Sequence, residues 1–199
     1  MFVERSMNSP STGSTAGWIE VICGCMFSGK TEELIRRINR AIIAKQKVEI
    51  FKPVIDQRYH KDNIVSHNER VVRSTAVDFA NDILLLAGSC DVVGIDEAQF
   101  FDESIVDVCN HLANNGKRVI VAGLDMDFEG RPFGPMPNLL AVAEFVTKLH
   151  AICAQTGELA SYSFRLTDDP EQVKLGEKDT YEARSRAAFI KGSKKSDKA

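Results

Sequence analysis

Eight consecutive residues, Gly24-Cys25-Met26-Phe27-Ser28-Gly29-Lys30-Thr31, spell a complete G-x-x-x-x-G-K-T. An apolar, strand-like run at residues 18–23 precedes them, and a helix-like run at residues 32–45 follows. Strand, glycine loop and helix in that order separate a phosphate-binding loop from a chance match. Backbone N–H groups of such a loop surround phosphate oxygens, and the helix N-terminus adds the positive end of its dipole. Lys30 is then placed for the β- and γ-phosphates and the Thr31 hydroxyl for Mg²⁺. The chemistry is that of a nucleoside triphosphate.

A phosphate loop needs an acidic partner at the end of a neighbouring apolar strand, and Asp96 after residues 91–95 fits. It would hold Mg²⁺ beside Thr31. Glu97 follows immediately, where a carboxylate can take the proton of an acceptor hydroxyl; its other reading is a surface charge or helix cap. Asp96-Glu97-Ala98-Gln99 also matches the DEAx box of nucleic-acid helicases. Such motors need two such domains and a basic strand-binding face, whereas this chain has one loop and a net charge of −3. Phe100 and Phe101 follow the acidic pair, and Phe128 and Phe133 lie in a loop after another strand. Four aromatics near strand ends would make an apolar slot in which a flat base could stack, although each ring could equally be core. Arg131 could face developing phosphate charge or water, and Asp125 and Asp127 could be functional or cap their loop.

The elements that must position these groups alternate. Strand-like runs at 47–51, 91–95, 117–124 and 145–152 are interleaved with helical patterns at 32–45, near 80–87 and at 103–114. In the last of these helices Ile105, Val108, Cys109 and Leu112 share a face, and Asn115-Gly116 reads as its C-cap. This predicts the α/β class, a P-loop, RecA-like parallel sheet flanked by helices. Residues 56–74 read as a long mobile loop. After Cys153 short alternating segments at 160–165 and 171–175 predict a small β-rich subdomain. The expected organisation is a flexible N-terminal extension at 1–17, an ATP-binding α/β domain at 18–152, the small subdomain at 153–190 and a disordered, cationic tail at 191–199.

The chain has 199 residues, enough for about one domain and a small appendage. Its charge gives no sign of a nucleic-acid partner, and no run of about 18 apolar residues predicts a membrane span. Residues 1–17 lack the apolar segment of a secretory signal. The five cysteines, Cys23, Cys25, Cys90, Cys109 and Cys153, are odd in number and scattered, which suits a reducing cytoplasm. Cys23 and Cys25 read as small packing residues around the loop.

Taken together, these residues resemble the type II thymidine kinases, the cellular and bacterial family, over residues 17–189. The markers are the loop at 24–31, Lys52-Pro53 with Asp56-Gln57-Arg58-Tyr59, and Ser66-His67. They continue with residues 96–101, Gly123-Leu124-Asp125 with Phe128 and Phe133, Ser161-Tyr162-Ser163-Phe164-Arg165, and Tyr181. The resemblance implies transfer of the ATP γ-phosphoryl group to the 5′-hydroxyl of thymidine or deoxyuridine, in pyrimidine salvage and DNA precursor synthesis. Glu97 is then the general base. Asp56, Arg58, Asp96 and Gln99 join the loop in contacting ATP and its phosphates. Met26, Phe101, Leu124, Phe128, Phe133 and Tyr181 line the base pocket. A lasso over the nucleoside, mapped to Gln172, Val173, Lys174, Leu175 and Gly176, binds the pyrimidine edge through its backbone. A homotetramer, cytoplasmic location and feedback inhibition by thymidine triphosphate (dTTP) are implied as well. Two other readings stay open, a deoxynucleoside kinase of different base preference and a P-loop nucleotide switch.

One departure stands out. The family usually anchors the lasso with a zinc held by two C-x-x-C pairs. Here those positions read Cys153-Ala154-Gln155-Thr156 and Ser185-Arg186-Ala187-Ala188. Ser, Thr and Ala supply no thiolates for a closed tetrahedral site, and His150 as a substitute ligand brings the donors only to two. No zinc is predicted. Packing and hydrogen bonds are expected to hold the subdomain, leaving its lasso more mobile without nucleoside.

Overall fold

A computed structural model of the chain describes residues 16–54, 63–65, 71–167 and 180–196. In chain order these residues form β1 (Trp18–Gly24), α1 (Lys30–Ile43), β2 (Val48–Pro53), β3 (Asn63–Val65), β4 (Val71–Arg73) and β5 (Thr75–Val77). Next come α2 (Asp82–Leu86), β6 (Val92–Ile95), a 3-10 turn (Ala98–Phe100), α3 (Ser104–Asn114), β7 (Arg118–Gly123), α4 (Met136–Val142) and β8 (Phe145–Leu149). The chain finishes with β9 (Ala151–Ile152), β10 (Leu159–Ala160), β11 (Tyr162–Arg165), β12 (Tyr181–Arg184) and α5 (Arg186–Ser196).

Six strands pair in parallel in the order β5-β2-β6-β7-β1-β8. Helices cover both faces, which is why the central strands are mostly apolar on both sides rather than alternating. On one face Ile22, Ile120 and Ala122 pack against Leu34, Ile35 and Ile38 of α1. On the other, Ile19, Val21, Val119 and Val121 meet Ile105, Val108, Cys109 and Leu112, the α3 face legible in the sequence. Gly116 closes α3 at φ 84°, donating to the carbonyl of Ala113.

A buried charge cluster interrupts the α1 side. Glu20 of β1, 1% exposed, accepts from Arg118 Nε of β7 at 2.6 Å and from Arg37 Nη1 of α1 at 2.8 Å. Trp18 Nε1 donates to the same carboxylate at 2.7 Å, and Arg37 also reaches Glu33 and the Thr147 hydroxyl of β8. Four elements are thereby tied through the third residue of β1, before the phosphate loop.

The sheet order makes the site. β7 lies between β1 and β6, the RecA-like arrangement, so the loops leaving these three strands sit side by side at their C-terminal ends. That edge is where open α/β sheets take ligands. Among the described residues no helix is long and apolar enough to cross a membrane.

Three expectations are corrected. The strand expected over 145–152 stops at Leu149, where β8 runs out of partner as β1 ends at Gly24; β9 then pairs antiparallel with β10. The stretch expected as a loop at 56–74 contains β3 and β4, an antiparallel pair built on the β-branched types in Asn63-Ile64-Val65 and Val71-Val72-Arg73. The expected disordered tail from residue 191 is helical to Ser196. Phe189 anchors that helix, stacked on Tyr162 at 4.5 Å and edge-on to Phe164 at 6.0 Å, so tertiary packing outweighs the weak helix propensity of Gly192 and Ser193. The strand-like segment expected at 171–175 lies outside the described residues.

Candidate active site

The phosphate loop leaves β1 through Gly24, at φ 145°, where a Cβ would come within 2.3 Å of the Leu149 carbonyl oxygen. Phe27 at φ 63° and Gly29 at φ 85° are both left-handed, the kind of backbone from which anion-binding concavities are built. Helix α1 starts at Lys30 with Gly29 as its N-cap. The Ser28 hydroxyl and Lys30 Nζ both donate to the carbonyl of Cys25, at 2.8 and 2.9 Å, which holds the loop closed. Burial pushes the Cys25 thiol up and raises Cys23 to about 11, with Asp125 adding to both shifts. Both therefore stay protonated at neutral pH, as packing residues rather than ligands or nucleophiles.

Asp96 leaves β6 with its N–H still bonded to the carbonyl of Phe51. Its Oδ2 accepts from the Thr31 hydroxyl at 3.3 Å and its Oδ1 from the N–H of Glu97 at 3.0 Å. The two oxygen groups expected to hold Mg²⁺ are thus in contact, and such hard donors fit that ion. Glu97 follows in left-handed conformation, φ 52°, at the head of the 3-10 turn. Gln99, expected among the phosphate contacts, is buried, with its carboxamide between the Glu97 carboxylate and the N–H of Leu124.

Of the expected pocket residues, Phe101 is buried in the main core and Phe133 meets Phe100 edge-on at 5.7 Å. Met26 and Leu124 are half-buried at the ends of β1 and β7. Phe128 and Tyr181 are brought together by Arg165, whose guanidinium lies 3.7 Å from the Phe128 ring centroid. The same group donates to the Tyr181 hydroxyl from Nε at 3.1 Å and Nη2 at 2.7 Å. Asp56, Arg58 and the lasso positions Gln172, Val173, Lys174, Leu175 and Gly176 lie outside the described residues.

The sequence reading missed several contributors. Arg165 had no assigned role. Ser163 Oγ accepts the N–H of Met26 at 3.0 Å, and Cys25 Sγ reaches the carbonyl of Ala160 at 3.3 Å, so the phosphate loop is fastened to β10 and β11. Asp125 forms an ion pair with Lys148 at 2.6 Å, which raises the lysine above its usual value. Asp127 caps its own loop by accepting from the N–H groups of Glu129 and Arg131. Arg131 is exposed and paired with Asp127 and Glu129. His150 Nδ1 lies 3.1 Å from the Ser161 hydroxyl. Burial raises the Cys153 thiol, but hydrogen bonds from the Thr156 side chain and from N–H groups of Ser185, Gln155 and Thr156 outweigh it and draw it to about 6.

Fold and site define an α/β protein of the P-loop class with an acidic strand-end pair beside the loop. The profile described as thymidine kinase matches residues 17–189. A thymidine kinase of Rhodothermus sp. (strain ITI 518) is 64% identical over 177 residues, covering 89% of this chain and 83% of the relative. That of Bacteroides thetaiotaomicron is 58% identical over 175 residues, 88% of each chain. That of Porphyromonas gingivalis (strain W83) is 56% identical over 186 residues, 94% of this chain and 91% of the relative. The chain belongs to the thymidine kinase family.

Proposed function

We propose that the protein transfers the γ-phosphoryl group of ATP to the 5′-hydroxyl of thymidine and of deoxyuridine. The observation that carries this reading is the contact of Thr31 with Asp96 at the mouth of the phosphate loop, with Glu97 next in the chain. Loop N–H groups and Lys30 bind the triphosphate. Glu97 accepts the 5′-hydroxyl proton as that oxygen bonds the γ-phosphorus. The bond from γ-phosphorus to the β–γ bridging oxygen breaks, ADP leaves, and the proton passes from Glu97 to solvent. Mg²⁺, when held by Thr31 and Asp96, supplies positive charge at the phosphate oxygens. Most of the remaining catalysis is positioning.

The base slot comprises Met26, Phe101, Leu124, Phe128, Phe133 and Tyr181, supported by the Arg165 contacts to Phe128 and Tyr181. Asp56 and Arg58 near the phosphates, and a lasso at 172–176 over the pyrimidine, are carried by the family resemblance. So are feedback by dTTP and the homotetramer. Exposed Ile43 and Leu85, and the exposed cross-strand pair Ile152 and Leu159, are surfaces of the kind that assembly covers. The five unpaired, buried cysteines support a cytoplasmic location. We divide the chain into a nucleotide-binding part at 18–152 and a lasso subdomain at 153–190.

The test is ADP release over a panel of nucleosides. Turnover is expected with thymidine and deoxyuridine, and chelating Mg²⁺ abolishes it. Turnover independent of every nucleoside contradicts this reading and supports the nucleotide switch. We also propose that the subdomain carries no zinc, its two knuckle segments being joined by the Ala154 N–H donating to the Ala183 carbonyl and by the packing of Cys153 with Ala183 and Ala188. Elemental analysis of the purified protein is expected to find no stoichiometric zinc; about one atom per chain, the content of a structural site, refutes this.

A further inference from the structure

Glu97 cannot hold its carboxylate in place by its own backbone preference. It is a non-glycine residue at φ 52° and ψ 41°, a conformation that persists only where the surroundings over-determine it. Its backbone is held by the Glu97 N–H on Asp96 Oδ1 and by the Phe100 N–H on the Glu97 carbonyl, and its side chain by Gln99. Gln99 Nε2 donates to Glu97 Oε2 at 2.5 Å, while its Oε1 accepts the N–H of Leu124 at 2.9 Å. The amide orientation is fixed by chemistry, since the flipped form would set oxygen against carboxylate and NH₂ against N–H.

The space around Gln99 is closed on two sides. A Cβ on Gly123 would lie 2.9 Å from Gln99 Oε1 and 2.6 Å from Met136 Sδ. A Cβ on Gly134, itself at φ 47°, would lie 2.5 Å from the Gln99 carbonyl oxygen. The side chain is 2% exposed. One carboxamide therefore spans from the end of β7, where Leu124 enters the base slot, to the carboxylate at the end of β6.

We infer that Gln99 is a positioning residue that sets the Glu97 carboxylate against the base-lining loop at Leu124, and so against the acceptor hydroxyl. This rests on the proposed role of Glu97 as general base. Methionine at 99 keeps the volume but loses both hydrogen bonds. Glutamate keeps the acceptor for Leu124 but sets a second carboxylate beside Glu97.

The experiment is a kinetic cycle of Gln99→Met, Glu97→Gln and the double variant, with Gln99→Glu measured beside them as the shape-preserving substitute. Gln99→Met and Gln99→Glu are each expected to lower kcat roughly 100-fold, the scale of an ångström-sized misplacement. KM for thymidine and ATP should stay within about threefold in both variants, because substrate binding does not depend on the carboxylate position. On the Glu97→Gln background, Gln99→Met should cost less than about threefold, since residues acting as one unit are not additive. The same 100-fold loss on both backgrounds, or kcat near wild type in Gln99→Glu, overturns the positioning role. Full activity in Glu97→Gln alone is a different result, removing the base assignment and with it this inference.

Discussion

Glu97→Gln lowers kcat for thymidine phosphorylation by about 10²–10⁴-fold, the usual worth of a positioned general base. The amide is nearly isosteric with the carboxylate and cannot take a proton. ATP binding should change little, because the loop at 24–31 and Lys30 form their own closed hydrogen-bonded unit around the Cys25 carbonyl. The selective loss is read by comparing kcat with the dissociation constant of ATP measured by titration. A variant that keeps wild-type kcat removes Glu97 from the reaction.

The second large effect is on stability. Glu20→Ala leaves Arg37 and Arg118 buried without their shared carboxylate, 0% and 3% exposed. Removing one member of a buried ionic group costs about 3–5 kcal/mol, even though Arg37 keeps its ion pair with Glu33. For a chain of this size that lowers the melting temperature by roughly 6–20 °C. Glu20 sits mid-strand in β1, before the loop, so kcat measured well below the transition should remain near wild type. Thermal unfolding followed by circular dichroism checks this, and an unchanged midpoint shows that the three side chains exert no net grip on the sheet.

The strand–loop–helix context of residues 24–31 was legible because the motif is contiguous, and β1 and α1 flank it as expected. Asp96 and Glu97 were legible for a similar reason, as acids ending an apolar run. The α3 face was visible through its 3.6-residue period, and its residues are buried. What was not legible depends on separation. Ser163 meets Met26 across 137 residues, and no local pattern marks a serine as the acceptor for a loop N–H. Arg165 had no assigned role, because its partner Tyr181 is brought beside it only by the pairing of β11 with β12. Gln99 was expected among the phosphate contacts by the family resemblance, and its place between Gly123 and Gly134 depends on another strand and loop arriving beside it. Helix α5 was hidden by composition, since only its packing through Phe189 distinguishes it from a polar tail.

The most direct test of the account follows the phosphoryl group itself. Purified protein is incubated with Mg²⁺, γ-labelled ATP and thymidine, and the products are separated. Label is expected in thymidine 5′-monophosphate, formed in step with ADP, and almost none with Glu97→Gln. Label appearing in inorganic phosphate at the same rate with or without thymidine would contradict it.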